Sequence, residues 1–152
     1  MLKIQISLTL ILISLISHAQ TAEDSVKAVV NNLFTAMKSA DTVLLKSTLA
    51  DGAIFQTIGR DRTTGKVKIN TDPVQGFVDF IGKSTPGDAD ERITFGAVHI
   101  DADLASVWTP YNFYFKKGFS HCGVNSFQVV RINGIWKIQY LIDTRHTKDC
   151  NP

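Results

Sequence analysis

The chain lacks any excess of charge of one sign: 16 lysines and arginines stand against 14 acids, for a formal net charge of +2. That balance excludes a nucleic-acid partner, because a duplex binder carries a clustered basic face. The short basic clusters, Arg60/Arg62 and Lys66/Lys68, flank a turn at Thr64-Gly65 and read as a solvated hairpin. Cysteine is equally scarce. Cys122 and Cys150 are the only two, too few and too far apart for the paired-cysteine spacing of a structural zinc site. No internal repeat or low-complexity segment occurs, and no apolar run reaches the roughly 18 residues expected of a membrane-spanning helix.

The longest apolar run lies at the amino end. Lys3 precedes Ile4 to Ile16, a stretch interrupted only by Gln5, Ser7, Thr9 and Ser14, and small residues follow at Ser17 and Ala19. This is the pattern of a cleaved export signal, with cleavage expected after Ala19. No cysteine sits at the cleavage point, so a lipid anchor is not expected. Residues 1–19 are thus read as a signal peptide and residues 20–152 as a single domain of a secreted or periplasmic protein, with no membrane association after cleavage. Loss of Lys3 lowers the net charge by one.

An exported protein meets an oxidising compartment, and there a Cys122 to Cys150 disulfide is the default. It would tie the carboxyl tail to an inner strand by closing a loop of about 28 residues, for about 3 kcal/mol on the chain-entropy account. The competing reading is a pair of metal or redox thiols.

Periodicity then supplies the elements. Thr21 and Asp24 form a capping-box pattern ahead of Val26, Val29, Val30, Leu33, Phe34 and Met37, which recur on one helical face. Asp41 can cap a shorter helix ending near Asp51-Gly52, and Asp72-Pro73 starts a third that carries Val74, Phe77, Phe80 and Ile81. Between the second and third helices lies a short strand from Ala53 with a protruding hairpin to Ile69. Four extended runs follow: Arg92 to Ile100, Leu104 to Lys116, Phe119 to Ile132 and Ile135 to Arg145. Asn133-Gly134 between the last two is the strongest hairpin signal, since both residues accept the positive φ of a type I′ turn.

The predicted fold class is α+β, three amino-terminal helices packed on a strongly curved, mainly antiparallel sheet, in the order α-α-β-α-β-β-β-β. This order, with the closing strand Gly134-Ile135-Trp136-Lys137-Ile138, resembles the nuclear transport factor 2-like superfamily, also described as SnoaL-like or cystatin-like cones. The subgroup it most resembles is the exported, lumazine-binding one, and the resemblance covers residues 22–146. It implies a cone-shaped cavity, and in the superfamily's isomerases, cyclases and dehydratases a cavity carboxylate or histidine moves a proton beside an oxyanion-steadying tyrosine or acid.

A two-residue turn at Asn133-Gly134 pairs Arg131 with Trp136, Val129 with Ile138, Phe127 with Tyr140, Asn125 with Ile142 and His121 with His146 on the inner face. A tight turn at Lys117-Gly118 adds Trp108, Asn112 and Tyr114 to it. The expected ligand-binding lining is therefore Trp108, Asn112, Tyr114, His121, Asn125, Phe127 and Tyr140, with His146 beside it and Phe34, Met37 and Phe77 above. His121, His146, Tyr114 and Asp143 are the candidate catalytic residues. In this register Asp143 faces away from the cavity, which makes it a poor base, and with Arg145 two residues on it suits a structural ion pair. Zinc held by the histidines and cysteines fits no standard ligand pattern, so neither a metal nor a cofactor is called for.

The reading is an apolar cavity for a small aromatic or apolar ligand, without a complete catalytic set. A cofactor-free isomerase or dehydratase using a cavity histidine is the alternative. A homodimer is also open, formed through the outer sheet face at Ser126, Gln128, Gln139 and Leu141.

Overall fold

A computed structural model describes residues 21–150 of the chain; the expected signal peptide lies outside the described residues. Helix α1 (Ala22–Ser39) begins where the sequence places it. Thr21 Oγ1 accepts from the Asp24 amide at 3.1 Å, and the Asp24 carboxylate accepts from the Thr21 amide at 3.3 Å. The face of α1 that carries Val26, Val30, Leu33 and Phe34 is buried, and the helix stops at Ala40 in the left-handed conformation. Helix α2 (Thr42–Ser47) is capped by Asp41, whose Oδ1 accepts from the amides of Val43 and Leu44, both at 2.9 Å.

The strand and hairpin expected next are two paired strands, β1 (Leu49–Arg60) and β2 (Val67–Asp72). Asp61 shapes their turn by accepting from the amides of Thr63 and Thr64. Asp72 closes β2, so it does not cap the following helix; Pro73 holds the N-cap position of α3 (Val74–Lys83) without a side-chain bond. The first of the four expected long strands is divided at Thr94-Phe95-Gly96 into β3 (Ala89–Ile93) and β4 (Ala97–Asp101). Both pair with β5 (Leu104–Phe115), followed by β6 (Gly118–Ile132) and β7 (Ile135–Thr144).

The sheet runs β2-β1-β7-β6-β5-β3, with β4 also on β5; only the β1–β7 pairing is parallel. The architecture is α+β, with helices packed on one face of a curved, mostly antiparallel sheet. Its core joins Val26, Val30, Leu33 and Ile81 from the helices to Val107, Phe127, Val129 and Ile138 from the strands. No helix among the described residues is long and apolar enough to cross a membrane.

Two register details decide what faces the helices. Asn133 and Gly134 form the expected turn, with φ of 52° and 81°, and Ile132/Ile135 through Val129/Ile138 pair accordingly. Beyond them Gln139 is bulged out, so Gln128 meets Tyr140, Phe127 meets Leu141 and Asn125 meets Asp143. The β5–β6 turn falls at Lys116-Lys117, both with positive φ, one residue earlier than expected, and a second bulge at Ser120 then pairs Phe113 with His121. Side chains alternate across a strand, so a shift of one residue exchanges the two faces.

Candidate functional site

Those shifts change the cavity lining. Trp108, Asn112, Tyr114 and Tyr140 stand on the outer face and Asp143 on the inner one. Trp108 is 49% exposed; Tyr114 packs beneath the Arg92 guanidinium at 4.0 Å and beside Phe119. Asn112 lies opposite Cys122, and the Tyr140 hydroxyl donates to Gln56 Oε1 at 2.7 Å. Leu141, expected on the outer face, lines the cavity. His146 pairs with Cys122 rather than with His121. Asn125 and His121 keep their expected places in the lining, because the hairpin fixes β6 without passing through either bulge; Phe127 also points inward but is fully buried in the core against Phe34 and does not line the cavity.

The residues on the inner face enclose a cavity of about 410 Å³ between the sheet and helices α1 and α3. Its walls are aromatic and aliphatic: Phe34 and Met37 from α1, Phe77 and Phe80 from α3, Phe55 from β1 and Phe113 from β5. Its inner end is polar. Four neighbouring strands contribute to that end, Glu91 from β3, Tyr111 from β5, His121 and Asn125 from β6 and Asp143 from β7, joined by Arg145 just past the end of β7.

Hydrogen bonds fix the cluster. Arg145 Nε lies 2.6 Å from Asp143 Oδ2, and the Tyr111 hydroxyl donates to the same oxygen at 3.2 Å and to the Thr144 carbonyl at 3.0 Å. Asn125 Nδ2 donates to Glu91 Oε1 at 2.8 Å. Shielding from bulk water pushes the Glu91 carboxyl up to about 7; the Asn125 bond and Arg145 oppose that shift and Asp143 adds to it. The Tyr111 hydroxyl is likewise pushed up, first by burial and then by Asp143 and Glu91. The His121 ring, edge-on to Tyr111 and tilted against Phe113, is held below its ordinary value by burial and by Arg145. Both effects favour its neutral form.

Gly123 makes this packing feasible. A Cβ there would lie 1.8 Å from the Thr144 carbonyl oxygen and 3.1 Å from Tyr111 Cε1, so only glycine lets Tyr111 lie across β6 to reach Asp143 and Thr144.

The other chemistry-bearing group sits on the opposite face. Cys122 and Cys150 form a disulfide that pins the tail to β6. His146 Nδ1 lies 3.3 Å from Cys122 Sγ and 2.8 Å from the Lys148 carbonyl oxygen. Cys122, His146 and Cys150 form the one trio of potential metal ligands among the described residues, and both sulfurs are bonded to each other.

Glu91 and Tyr111 are the site residues that the sequence pattern does not reveal; Arg145, expected as the ion-pair partner of Asp143, is that partner and lines the cavity as well. Tyr111 was hidden by the β5 phase. Glu91 carries no local signal, because the sequence pattern starts this strand at Arg92 whereas β3 begins at Ala89.

No protein-family model matches the chain, and no curated protein does. Solved structures do. An NTF2-like protein of unknown function from Shewanella baltica superposes with a TM-score of 0.64 at 16% identity, covering 83% of this chain and 94% of the other. The chain has the nuclear transport factor 2-like fold. A protein of unknown function with a cystatin-like fold from Nostoc punctiforme also matches this fold, with a TM-score of 0.64, 15% identity, and coverage of 84% and 95%. An NTF2-like protein of unknown function from Methylobacillus flagellatus gives a TM-score of 0.60 at 16% identity, covering 82% and 92%.

Proposed function

We propose that this NTF2-like chain is an exported small-molecule-binding protein whose cavity takes an aromatic or apolar ligand with one polar end. The observation that carries the reading is the shape and polarity of the cavity. About 410 Å³ bounded by phenylalanines, closed at one end by Glu91, Asn125, Asp143 and Tyr111, is the mixture by which small-molecule sites bury a ligand and orient it. The disulfide supports export, since such bonds persist in oxidising compartments; the intact mass of the secreted protein should correspond to a chain beginning at Gln20.

Binding is tested by thermal shift against a panel of aromatic and heterocyclic compounds, to which the lumazine-binding resemblance adds pteridine-like rings. A subset should raise the melting temperature of the native protein. Thr57 lines the cavity from β1, and Thr57→Phe, which puts a ring into that space, should remove the shift while the fold persists. Equal shifts for both proteins would place the ligand elsewhere.

A second reading, a proton-transfer enzyme, is favoured by one observation: a cavity carboxyl with a pKa of about 7 is poised as a general base. The base in this reading is Glu91; of the two histidines expected for that role, His146 lies outside the cavity and only His121 lines it. Turnover of a carbon-acid substrate should rise with pH through about 7, vanish in Glu91→Gln and survive in His121→Gln; activity retained by Glu91→Gln rules this mechanism out.

A further inference from the structure

We propose that the ligand of this cavity is an organic amine, an aromatic or alicyclic body bearing a protonated nitrogen that meets the Glu91 carboxylate. The inference rests on the binding reading above and adds the charge of the ligand.

It follows from the charge balance at the polar end. Two carboxyl groups and one guanidinium converge there, and the guanidinium of Arg145 is paired through its Nε with Asp143 Oδ2 at 2.6 Å. Asp143 is further held by the Tyr111 hydroxyl. Glu91 receives only the neutral Asn125 amide at 2.8 Å, and among the described residues it forms no ion pair. The remaining groups facing it supply no cation. Burial favours the neutral forms of Tyr111 on β5 and His121 on β6, and the residues of α1 and α3 that border the cavity, with Pro73 just before α3, carry no charge. The one other charged cavity residue, Asp72 at the end of β2, is also an acid.

An anionic ligand thus meets two carboxyl groups against a single guanidinium already paired with Asp143, whereas an ammonium group supplies the ion pair that Glu91 lacks and gives a charge-assisted hydrogen bond. The phenylalanine walls suit such a ligand as well, since ring faces attract a nearby cation. Ligand and proton compete for the same carboxylate, so affinity for an amine falls as Glu91 takes up its proton.

Three isosteric probes separate the possibilities: 2-phenylethylamine, 2-phenylethanol and phenylacetate, titrated calorimetrically into the full chain at pH 8 and pH 6. At pH 8 the amine should bind at least tenfold more tightly than the alcohol, with no heat from phenylacetate. The preference should shrink severalfold at pH 6. Glu91→Gln, which keeps the acceptor for Asn125 and loses the charge, should bring the amine to the affinity of the alcohol. An alcohol or carboxylate that binds the native protein as well as the amine, or an amine preference that survives in Glu91→Gln, overturns the inference and leaves the cavity reading standing. Silence from all three probes overturns both.

Discussion

Replacing Glu91 by glutamine should stabilise the protein by about 3 kcal/mol above pH 7 and leave it nearly unchanged below pH 4.5. In the folded state the Glu91 carboxyl titrates at about 7 against an ordinary value of 4.5. Between those values the folded chain retains a proton that the unfolded chain has released. Stability therefore falls as pH rises through this window, because the unfolded state binds fewer protons. Above pH 7 the folded protein carries the full cost of an ionised carboxylate shielded from water. Glutamine fills the same volume and its oxygen still accepts from Asn125, but it has nothing to ionise. Urea titrations of both proteins at half-unit pH intervals should give difference curves that are flat below 4.5, climb to about 7 and then level off. A difference independent of pH would show that Glu91 titrates normally. The same variant is the probe for amine selectivity, so a gain in stability with a loss of amine preference would mark Glu91 as a residue kept for binding at the expense of the fold.

Gly123→Ala should cost on the order of 3 kcal/mol, near the upper end for an overpacked site. The added carbon would lie 1.8 Å from a backbone oxygen of β7, and backbone in a paired strand cannot rotate aside as a side chain can. Relief requires β6 and β7 to separate at Gly123 and Thr144, beside the backbone pairing of Cys122 with His146. The variant should show a lower urea midpoint with an unchanged slope, and its Tyr111 should lose its reach to Asp143 and Thr144. A midpoint within error of the native protein would mean that the two strands already have room.

Helices α1 and α2 begin at their capping residues because a cap is a contact between residues two or three apart, complete within the local sequence. The Asn133-Gly134 hairpin is local in the same way, and it correctly sets the inner face of β6 through Asn125 and Phe127. Asp143 and Tyr140 were assigned to the wrong faces for a reason that no local pattern carries. The bulge at Gln139 lies beside an irregularity in β1, where Gly52 has a φ of 71° and its carbonyl accepts from the Gln139 side chain at 3.2 Å. Those residues are 87 positions apart in sequence, and their match exists only once β1 lies parallel to β7. On β5 the turn lies on two lysines rather than on Lys117-Gly118, a step that moves each pair by two and keeps the faces; the bulge at Ser120 supplies the odd step that turns Tyr111 inward and Trp108, Asn112 and Tyr114 outward.

By itself, then, the sequence determined the element order, the caps, the last hairpin and the α+β class, all of which rest on short-range periodicity and turn chemistry. Tertiary structure alone decided which residues meet at the polar end of the cavity. With a side-chain period of two, each bulge of one residue reverses a face, and the positions of the bulges are set by strands distant in the chain.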